Sequence, residues 1–281
     1  MSDELSVTVI IATYNMPEWL EKVLWGYECQ VYRNFDIIIA DDGSGQETKA
    51  LIERFKSESD LSITHLWHED KGYRRQTILN LAIEKASSDY ILFTDGDCVP
   101  RKDFIATHVR LAEQGCFLSG GYCKLPMDIS QAIGKEEILS EKCFSTQWLK
   151  QQGLEGRSQL RKLSASPGWG KFLDTITPAN ASFNNCNTSV WKDDLLAVNG
   201  YDERMQYGGP DRELGERLEN KNIKGKQIRH RAICIHLDHA RGYKTKESLE
   251  RNLAIRKNTR QKKLTWTEYG MVKKTLTDTH H

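Results

Sequence analysis

Three strand-like apolar runs, each emptying into a polar or acidic cluster, constrain this sequence more than any other feature. Residues 7–12 (VTVIIA) lead into Thr13-Tyr14-Asn15, residues 35–40 (FDIIIA) into Asp41-Asp42-Gly43-Ser44, and residues 90–94 (YILFT) into Asp95-Gly96-Asp97. A shorter run, residues 63–67, stands between the second and the third. β-Branched runs of this length bounded by turn residues predict strands buried on both faces. Helical spacing fills the gaps: Pro17 suits a first turn before Leu20, Val23, Leu24 and Tyr27, residues 48–55 allow a second helix, and Ile78, Ala82 and Ala86 mark a third. Alternating β and α predicts a mostly parallel sheet covered by helices on both faces. Ligands bind such sheets beyond the carboxyl ends of strands, so the three polar strand ends are expected to converge on one crevice.

Past about residue 126 the periodicity weakens. Residues 134–174 show no sustained pattern, and Ser164-Ala165-Ser166-Pro167-Gly168-Trp169-Gly170 reads as a mobile loop. Regular structure is expected again over residues 181–191, in a helix starting near Pro210, and in a strand over residues 232–237. A chain of 281 residues suits one α/β domain with a smaller appendage. Its 38% apolar and 28% charged residues fit a globular chain. No apolar run reaches the ~18 residues of a membrane span. The chain also opens on polar Ser2, Asp3 and Glu4, so a cytoplasmic location without a signal peptide is expected. Seven cysteines without a CxxC pair predict reduced thiols, not a disulfide framework or zinc site. The net charge of +1 conceals a basic tail: residues 243–281 hold ten Lys/Arg against four Asp/Glu. With Leu249, Leu253, Trp266 and Tyr269, that tail is expected to form helices resting on the domain. It also offers a surface for peripheral contact with anionic membranes, a solvated charged face being the plainer reading. No nucleic-acid partner is expected.

The chemistry begins at Asp95 and Asp97. Two carboxylates flanking one glycine repel unless a cation joins them, and a hard divalent ion such as Mn²⁺ or Mg²⁺ accepts oxygen ligands while bridging diphosphate oxygens. One acidic triplet is a common surface turn, but two acidic strand ends in one βα series are hard to explain as decoration. The segments VTVIIATYN, IIIADDGS and YILFTDGD, in this order, resemble the family 2 glycosyltransferases of the GT-A fold. The resemblance implies a nucleotide-diphospho-sugar transferase fold, with a mostly parallel central sheet flanked by helices and a short C-terminal helical extension. It further implies that Asp42 accepts the uracil N–H and that Thr13 and Tyr14 line the nucleoside pocket beside Asn15. Asp95, next to Gly96, would hold the ribose or a metal-bound water, and Asp97 would ligate the metal on the diphosphate. No GxGxxG turn follows the first strand, which lowers a dinucleotide dehydrogenase reading. Lys71-Gly72-Tyr73-Arg74-Arg75 is similar to the KGxR segment of relatives that include chondroitin polymerases. There a basic cluster meets phosphate at a helix N-terminus, making Arg75 the first donor contact and Lys71 the second.

A sharper signature lies in the second half. Asn185-Cys186-Asn187-Thr188-Ser189, Gly200-Tyr201-Asp202-Glu203 and Tyr207-Gly208-Gly209-Pro210-Asp211 resemble the acceptor-side segment shared with Golgi galactosyltransferases and the polymerases. This implies that Asp211 is the catalytic base, with Asn187, Tyr207, Gly208 and Gly209 near the acceptor. Glycines let the backbone approach a sugar, Pro210 starts a helix, and a carboxylate in its first turn can take the proton of an attacking hydroxyl. Pro210 stands where the family usually has Glu, and Glu213 is the nearest substitute. Ile235-His236-Leu237-Asp238-His239 falls where the family places a metal-ligating histidine, and alignment through HLDHARGY favours His239 over His236. Imidazole suits Mn²⁺ better than Mg²⁺. Of the aromatics in the irregular middle, Trp148, Trp169 and Tyr207, Trp169 is placed to act as a lid or acceptor platform.

The expected activity is inverting, metal-dependent transfer from a UDP-sugar, with galactose or an N-acetylhexosamine favoured. The acceptor is a hydroxyl on a glycan or lipid-linked glycan of cell-surface polysaccharide or lipopolysaccharide. No second nucleophile supports a covalent intermediate. The expected boundaries are residues 1–243 for the catalytic domain, with a nucleotide-sugar half at 1–125 and an acceptor half at 126–243, and residues 244–281 for the basic extension. The rivals are a catalytically inactive glycan-binding or scaffold protein and a sugar nucleotidyltransferase. The latter needs a Gly-rich basic loop after the first strand, which TYNMPEW lacks.

Overall fold

The computed structural model describes residues 4–163, 167–177, 180–240 and 244–273. Four strands form its parallel heart: β1 (Val7–Thr13), β2 (Phe35–Asp41), β3 (Ile63–Trp67) and β4 (Tyr90–Asp95). Every residue of β1 is buried. Its side chains divide with the two-residue period of a strand, Val7, Val9 and Ile11 entering one core and Ile10 and Ala12 the other. Ile37/Ile39 against Ile38/Ala40, and Tyr90/Leu92 against Ile91/Phe93, divide the same way. Helix Pro17–Glu28 covers the first core and helix Arg75–Lys85 the second. Each large apolar side chain so buried contributes roughly 1.5–3 kcal/mol, and a charge at Ile10 would open the sheet's centre.

The remaining strands are β5 (Cys98–Pro100), β6 (Cys116–Ser119), β7 (Gly121–Lys124), β8 (Thr188–Trp191), β9 (Lys224–Gln227) and β10 (Ile233–His236). The main sheet runs β3-β2-β1-β4-β8-β6-β9, with β8 antiparallel to both β4 and β6. Strand order reverses between β1 and β4, and a crevice opens at such a switch point. Register sets Thr13 beside Asp41 and Ala12 beside Asp95, so the polar strand ends lie level. A second sheet, β5-β10-β7, pairs His236 with Cys98 and so carries the C-terminal histidines to the DGD loop. The Leu237 amide donates to the Asp97 carbonyl at 2.9 Å, fixing this junction.

Beyond the sheets, helix Lys246–Gln261 starts at Thr245, whose hydroxyl accepts from the Ser248 amide at 3.1 Å. It lies against helix Pro210–Asn220, held by an Arg256–Glu216 ion pair at 2.5 Å and by Asn220 donating to the Leu264 carbonyl at 2.8 Å. No helix among the described residues is long and apolar enough to cross a membrane. All seven cysteines are free thiols, as their spacing predicts.

The middle of the chain departs from its sequence reading. Residues 127–163 are not irregular but a series of short helices. Pro167, Gly168, Trp169 and Gly170 open a helix (Pro167–Ile176) where a loop is expected, while residues 164–166 of that expected loop lie outside the described residues. Tertiary contact overrides the local glycines: Leu173 is buried, and Asp174 accepts from the His230 amide and from Arg231. Of the regular structure expected over residues 181–191, only β8 is strand, because Asn184 turns the chain by accepting from the Asn187 amide at 3.1 Å.

Candidate functional site

A cavity of about 1000 Å³ opens at the carboxyl ends of β1, β2 and β4. The first half of the chain lines it with Thr13, Tyr14, Asp42, Arg75, Asp95 and Asp97. The second half contributes Tyr207, Gly208, Gly209, Asp211, His236 and His239. The two acidic side chains of the DGD loop diverge around Gly96, whose amide donates to the Ala12 carbonyl at 2.8 Å. A Cβ at Gly96 would stand 3.0 Å from Thr13 Oγ1 and 3.2 Å from the Ala12 carbonyl oxygen, so glycine is what lets the loop lie so close to β1.

Asp97 is the focus. Its Oδ2 lies 3.0 Å from His239 Nε2 and 3.7 Å from His236 Nδ1, and the two imidazole rings stack 5.9 Å apart at 4°. His239 Nδ1 faces the Ala240 carbonyl at 2.8 Å, and His236 Nδ1 faces the Leu237 carbonyl at 2.8 Å. A carbonyl only accepts, so each Nδ1 carries its hydrogen; His239 then faces Asp97 through Nε2, the nitrogen a metal would take, whereas His236 faces it through the hydrogen-bearing Nδ1. Burial works to raise the Asp97 carboxyl, but the hydrogen bond with His239 and the two imidazoles outweigh it and hold the group below its ordinary value. Burial pushes the Cys98 thiol well up, and it donates to Asp97 Oδ1 at 3.3 Å, so that Asp97, Cys98 and His236 form one cluster of potential ligands. A carboxylate oxygen with His239 Nε2 beside it and a second imidazole next to both fits a borderline divalent ion such as Mn²⁺.

Asp95 has a different partner, the Arg75 guanidinium, with which it forms an ion pair. Burial raises the Asp95 carboxyl and Arg75 opposes the rise. Arg75 therefore reaches the cavity as expected but is engaged by Asp95. Deeper on the donor side, Asp42 accepts from the Arg74 amide at 3.1 Å and meets His68 Nε2 at 2.7 Å. Burial still lifts its carboxyl above the ordinary value. Tyr14 donates to Asp70 at 2.8 Å on the rim. Thr13 Oγ1 and Asn185 Nδ2 are buried without a hydrogen-bond partner among the described residues, and both residues line the cavity. Buried polar atoms are normally satisfied, so these two are open to a ligand.

Four candidates are not brought to the cavity. Asn15 instead ties two strand-end loops together, its amide donating to Ser44 Oγ at 2.9 Å and its Oδ1 accepting from the Gly45 amide at 2.8 Å. Lys71 is exposed and paired with Glu69 at 2.9 Å. Asn187 is fully buried under the cavity floor, donating to the carbonyls of Gly121 at 2.8 Å and Ala232 at 3.0 Å and meeting His108 at 2.9 Å. Trp169 is exposed and stacks on Phe172 at 5.1 Å, and Trp148 packs against the core. Asn185, the first residue of the 185–189 segment, lines the cavity in place of Asn187, and two residues without a readable motif join it: Asp70 on the lining and His68 behind Asp42. The only signal of these two was proximity to a strand end.

On the acceptor side, Gly208 (φ +110°) and Gly209 (φ +92°) adopt the left-handed conformation that favours glycine. Asn252 of the C-terminal helix grips this turn, its amide nitrogen lying 2.9 Å from the Gln206 carbonyl, 3.1 Å from that of Tyr207 and 3.1 Å from that of Gly208. Asp211 follows in the first turn of helix Pro210–Asn220. Burial raises its carboxyl, while the Arg212 amide and the charge of Arg75 oppose the rise. Glu213 does not face the site. It is buried in an ion pair with Arg217 at 2.8 Å and accepts from Thr259 Oγ1 at 2.8 Å.

Residues 8–129 match the family described as Glycosyl transferase family 2, and residues 174–240 match the N-terminal domain of galactosyltransferase. The first half of this chain is similar to glycosyl transferase family 2. The two matched segments carry the DGD loop on one side and Asp211, His236 and His239 on the other. The glycosyltransferase is 25% identical over 285 residues to the uncharacterized glycosyltransferase YfnE of Bacillus subtilis (strain 168), covering 89% of this chain and 69% of that protein. Its fold is GT-A. It superposes with a TM-score of 0.57 on a mannosyltransferase, PcManGT from Pyrobaculum calidifontis, solved with GDP-Man and Mn²⁺, at 18% identity over 92% of this chain and 63% of that one. S. aureus TarS 1-349, solved with UDP-GlcNAc, gives a TM-score of 0.54 at 13% identity, covering 85% of this chain and 60% of that one.

Proposed function

We propose that this glycosyltransferase transfers a hexose or N-acetylhexosamine from a UDP-sugar to an acceptor hydroxyl, with inversion and with a divalent metal. The observation that carries the reading is the meeting of Asp97, His239 and Asp211, from distant stretches of chain, on one cavity. Asp42 accepts an N–H of the nucleobase, and Thr13 and Tyr14 flank the nucleoside. Asp97 and His239, with His236 beside them, would hold a divalent ion, which would supply positive charge to the departing diphosphate. Asp211 takes the proton of the acceptor hydroxyl as that oxygen bonds to the anomeric carbon, and the bond from that carbon to the diphosphate oxygen breaks on the opposite face. A raised carboxyl is a better base toward such a proton. Arg75 holds Asp95 against the sugar-nucleotide side of the cavity.

The galactosyltransferase match and a structural neighbour solved with UDP-GlcNAc favour UDP over other nucleotides, and Mn²⁺ accompanies the mannosyltransferase neighbour. Surface-glycan synthesis on the cytoplasmic side, with a glycan or lipid-linked acceptor, is the setting that suits these relatives. A calorimetric and hydrolysis screen of UDP-sugars with and without Mn²⁺ tests the proposal. Wild-type protein binds at least one UDP-sugar in a Mn²⁺-dependent manner, and Asp97→Ala loses that dependence. Equal affinity with and without the ion would sink the assignment.

A further inference from the structure

The charges around the cavity are unevenly shared. Asp42, Asp70, Asp95 and Asp97 come from the donor half with Arg75 as their cation, whereas the opposite wall brings Lys162, Arg212, Arg229 and Arg256 with Asp211 as its carboxylate. Tyr122 marks where Lys162, Arg212 and Arg229 gather. Lys162 Nζ donates to the Tyr122 carbonyl at 2.9 Å and sits 5.3 Å over the Tyr122 ring. Arg212 lies within electrostatic reach of the Tyr122 hydroxyl, and the Arg229 backbone is pressed against Gly121, where a Cβ would come within 2.1 Å of its carbonyl oxygen. Burial and then Arg229 hold the Lys162 ammonium below its ordinary value, as expected of like charges side by side.

Lys162 and Arg229 form no ion pair with a carboxylate among the described residues, whereas Arg212 has the neighbouring Asp211 carboxylate beside it. Nearby arginines are treated differently: Arg231 pairs with Asp174 at 2.7 Å and Arg256 with Glu216 at 2.5 Å. Gathering cations on a concave wall with fewer carboxylates costs free energy unless an anion enters. The cluster also abuts the reacting groups, since the Tyr122 ring lies 5.7 Å from that of His236 and Arg212 follows Asp211 directly.

We infer that this wall binds an acceptor carrying a phosphate or carboxylate group, gripped by Lys162, Arg212 and Arg229 so that the accepting hydroxyl lies against Asp211. The inference rests on the glycosyltransferase reading and adds the charge class of the acceptor.

The full chain, saturated with UDP and Mn²⁺, is titrated calorimetrically with octyl phosphate, octyl β-D-glucuronide and neutral octyl β-D-glucoside. At least one anionic probe binds about tenfold or more tightly than the glucoside, the gain usual for a charge-assisted contact. Preference for the phosphate assigns a phosphate-linked acceptor and preference for the glucuronide a uronate-bearing one, and either supports the inference. Lys162→Gln/Arg229→Gln erases the preference while UDP–Mn²⁺ affinity stays within about twofold. Should that pair fail to fold, Arg212→Gln on the exposed helix face gives the same reading. Lys246→Gln/Arg251→Gln, on basic surface outside the cavity, keeps the preference. Equal affinity for all three probes, or the same loss in the Lys246/Arg251 variant, overturns the inference. Failure of the wild-type chain to bind UDP with Mn²⁺ points instead at the catalytic reading, and the probe preference is then measured without nucleotide.

Discussion

Replacing Glu213 by Ala separates a structural role from a substrate-binding one. Glu213 and Arg217 are both almost completely buried, with Arg217 Nε 3.0 Å from each Glu213 oxygen and Nη2 2.8 Å from Oε2. The same guanidinium donates to the Gly200 carbonyl at 2.6 Å and to that of Val198, anchoring the turn before the acceptor segment. Removing the carboxylate leaves a buried cation without its counter-charge, which costs about 3–5 kcal/mol. At ~2–4 °C per kcal/mol for a chain of this size, the thermal midpoint falls by roughly 6–20 °C. Circular dichroism melts measure this, alongside UDP-sugar binding and transfer well below the midpoint, where both remain near wild type. The double variant Glu213→Ala/Arg217→Met recovers much of the loss, because apolar replacement of both partners leaves no orphaned charge. An unchanged midpoint with abolished transfer would refute the reasoning and return Glu213 to the sugar.

Other expectations follow from the same coordinates. Asp211→Asn keeps donor binding and loses transfer by about 10²–10⁴-fold in single-turnover assays. Because burial raises the Asp211 carboxyl, the acid limb of the kcat/KM profile lies above the usual carboxylate range, activity falling as pH drops through that raised value. His108 is buried neutral between Ser189 and Asn187, its pKa lowered from 6.5 to about 4 by burial. The unfolded chain takes up this proton first, so the stability is fully present above pH 6.5 and is lost as pH falls toward 4, by about 3 kcal/mol. His108→Gln flattens that slope in pH-dependent urea melts. Asn252→Ala frees the carbonyls of residues 206–208 and costs about 1–3 kcal/mol. It lowers kcat more than donor KM, with faster amide exchange in the 206–211 turn.

Much of the donor half was legible before any coordinates. β1, β2 and β4 are short apolar runs whose period and boundaries are local properties, and their polar ends lie side by side because parallel register sets them there. The DGD loop, the Gly-Gly-Pro-Asp turn and the HLDH segment were readable as text for the same reason. Chain-local patterns did not reveal what each side chain would face. Asn187 sits inside a strongly matching motif yet turns inward to His108, Gly121 and Ala232, because β8 lies between β4 and β6. Trp169 lies in a stretch whose glycines read as loop, but helix 167–176 forms around the contacts of Asp174 with His230 and Arg231.

Local hydrophobic period and strand-end chemistry set the βα order and the acidic crevice, since these depend on neighbours a few residues away, while the proposed base and metal ligands came from the family resemblance. The antiparallel pairing of His236 with Cys98 decided that two imidazoles flank Asp97. The docking of helix 246–261 decided that Asn252 clamps the turn before Asp211, and the approach of residues 121–122 to Lys162 and Arg229 decided the cationic wall. Contacts between residues 40 or more positions apart are set by how sheets and helices pack, and packing leaves no periodic trace in the chain.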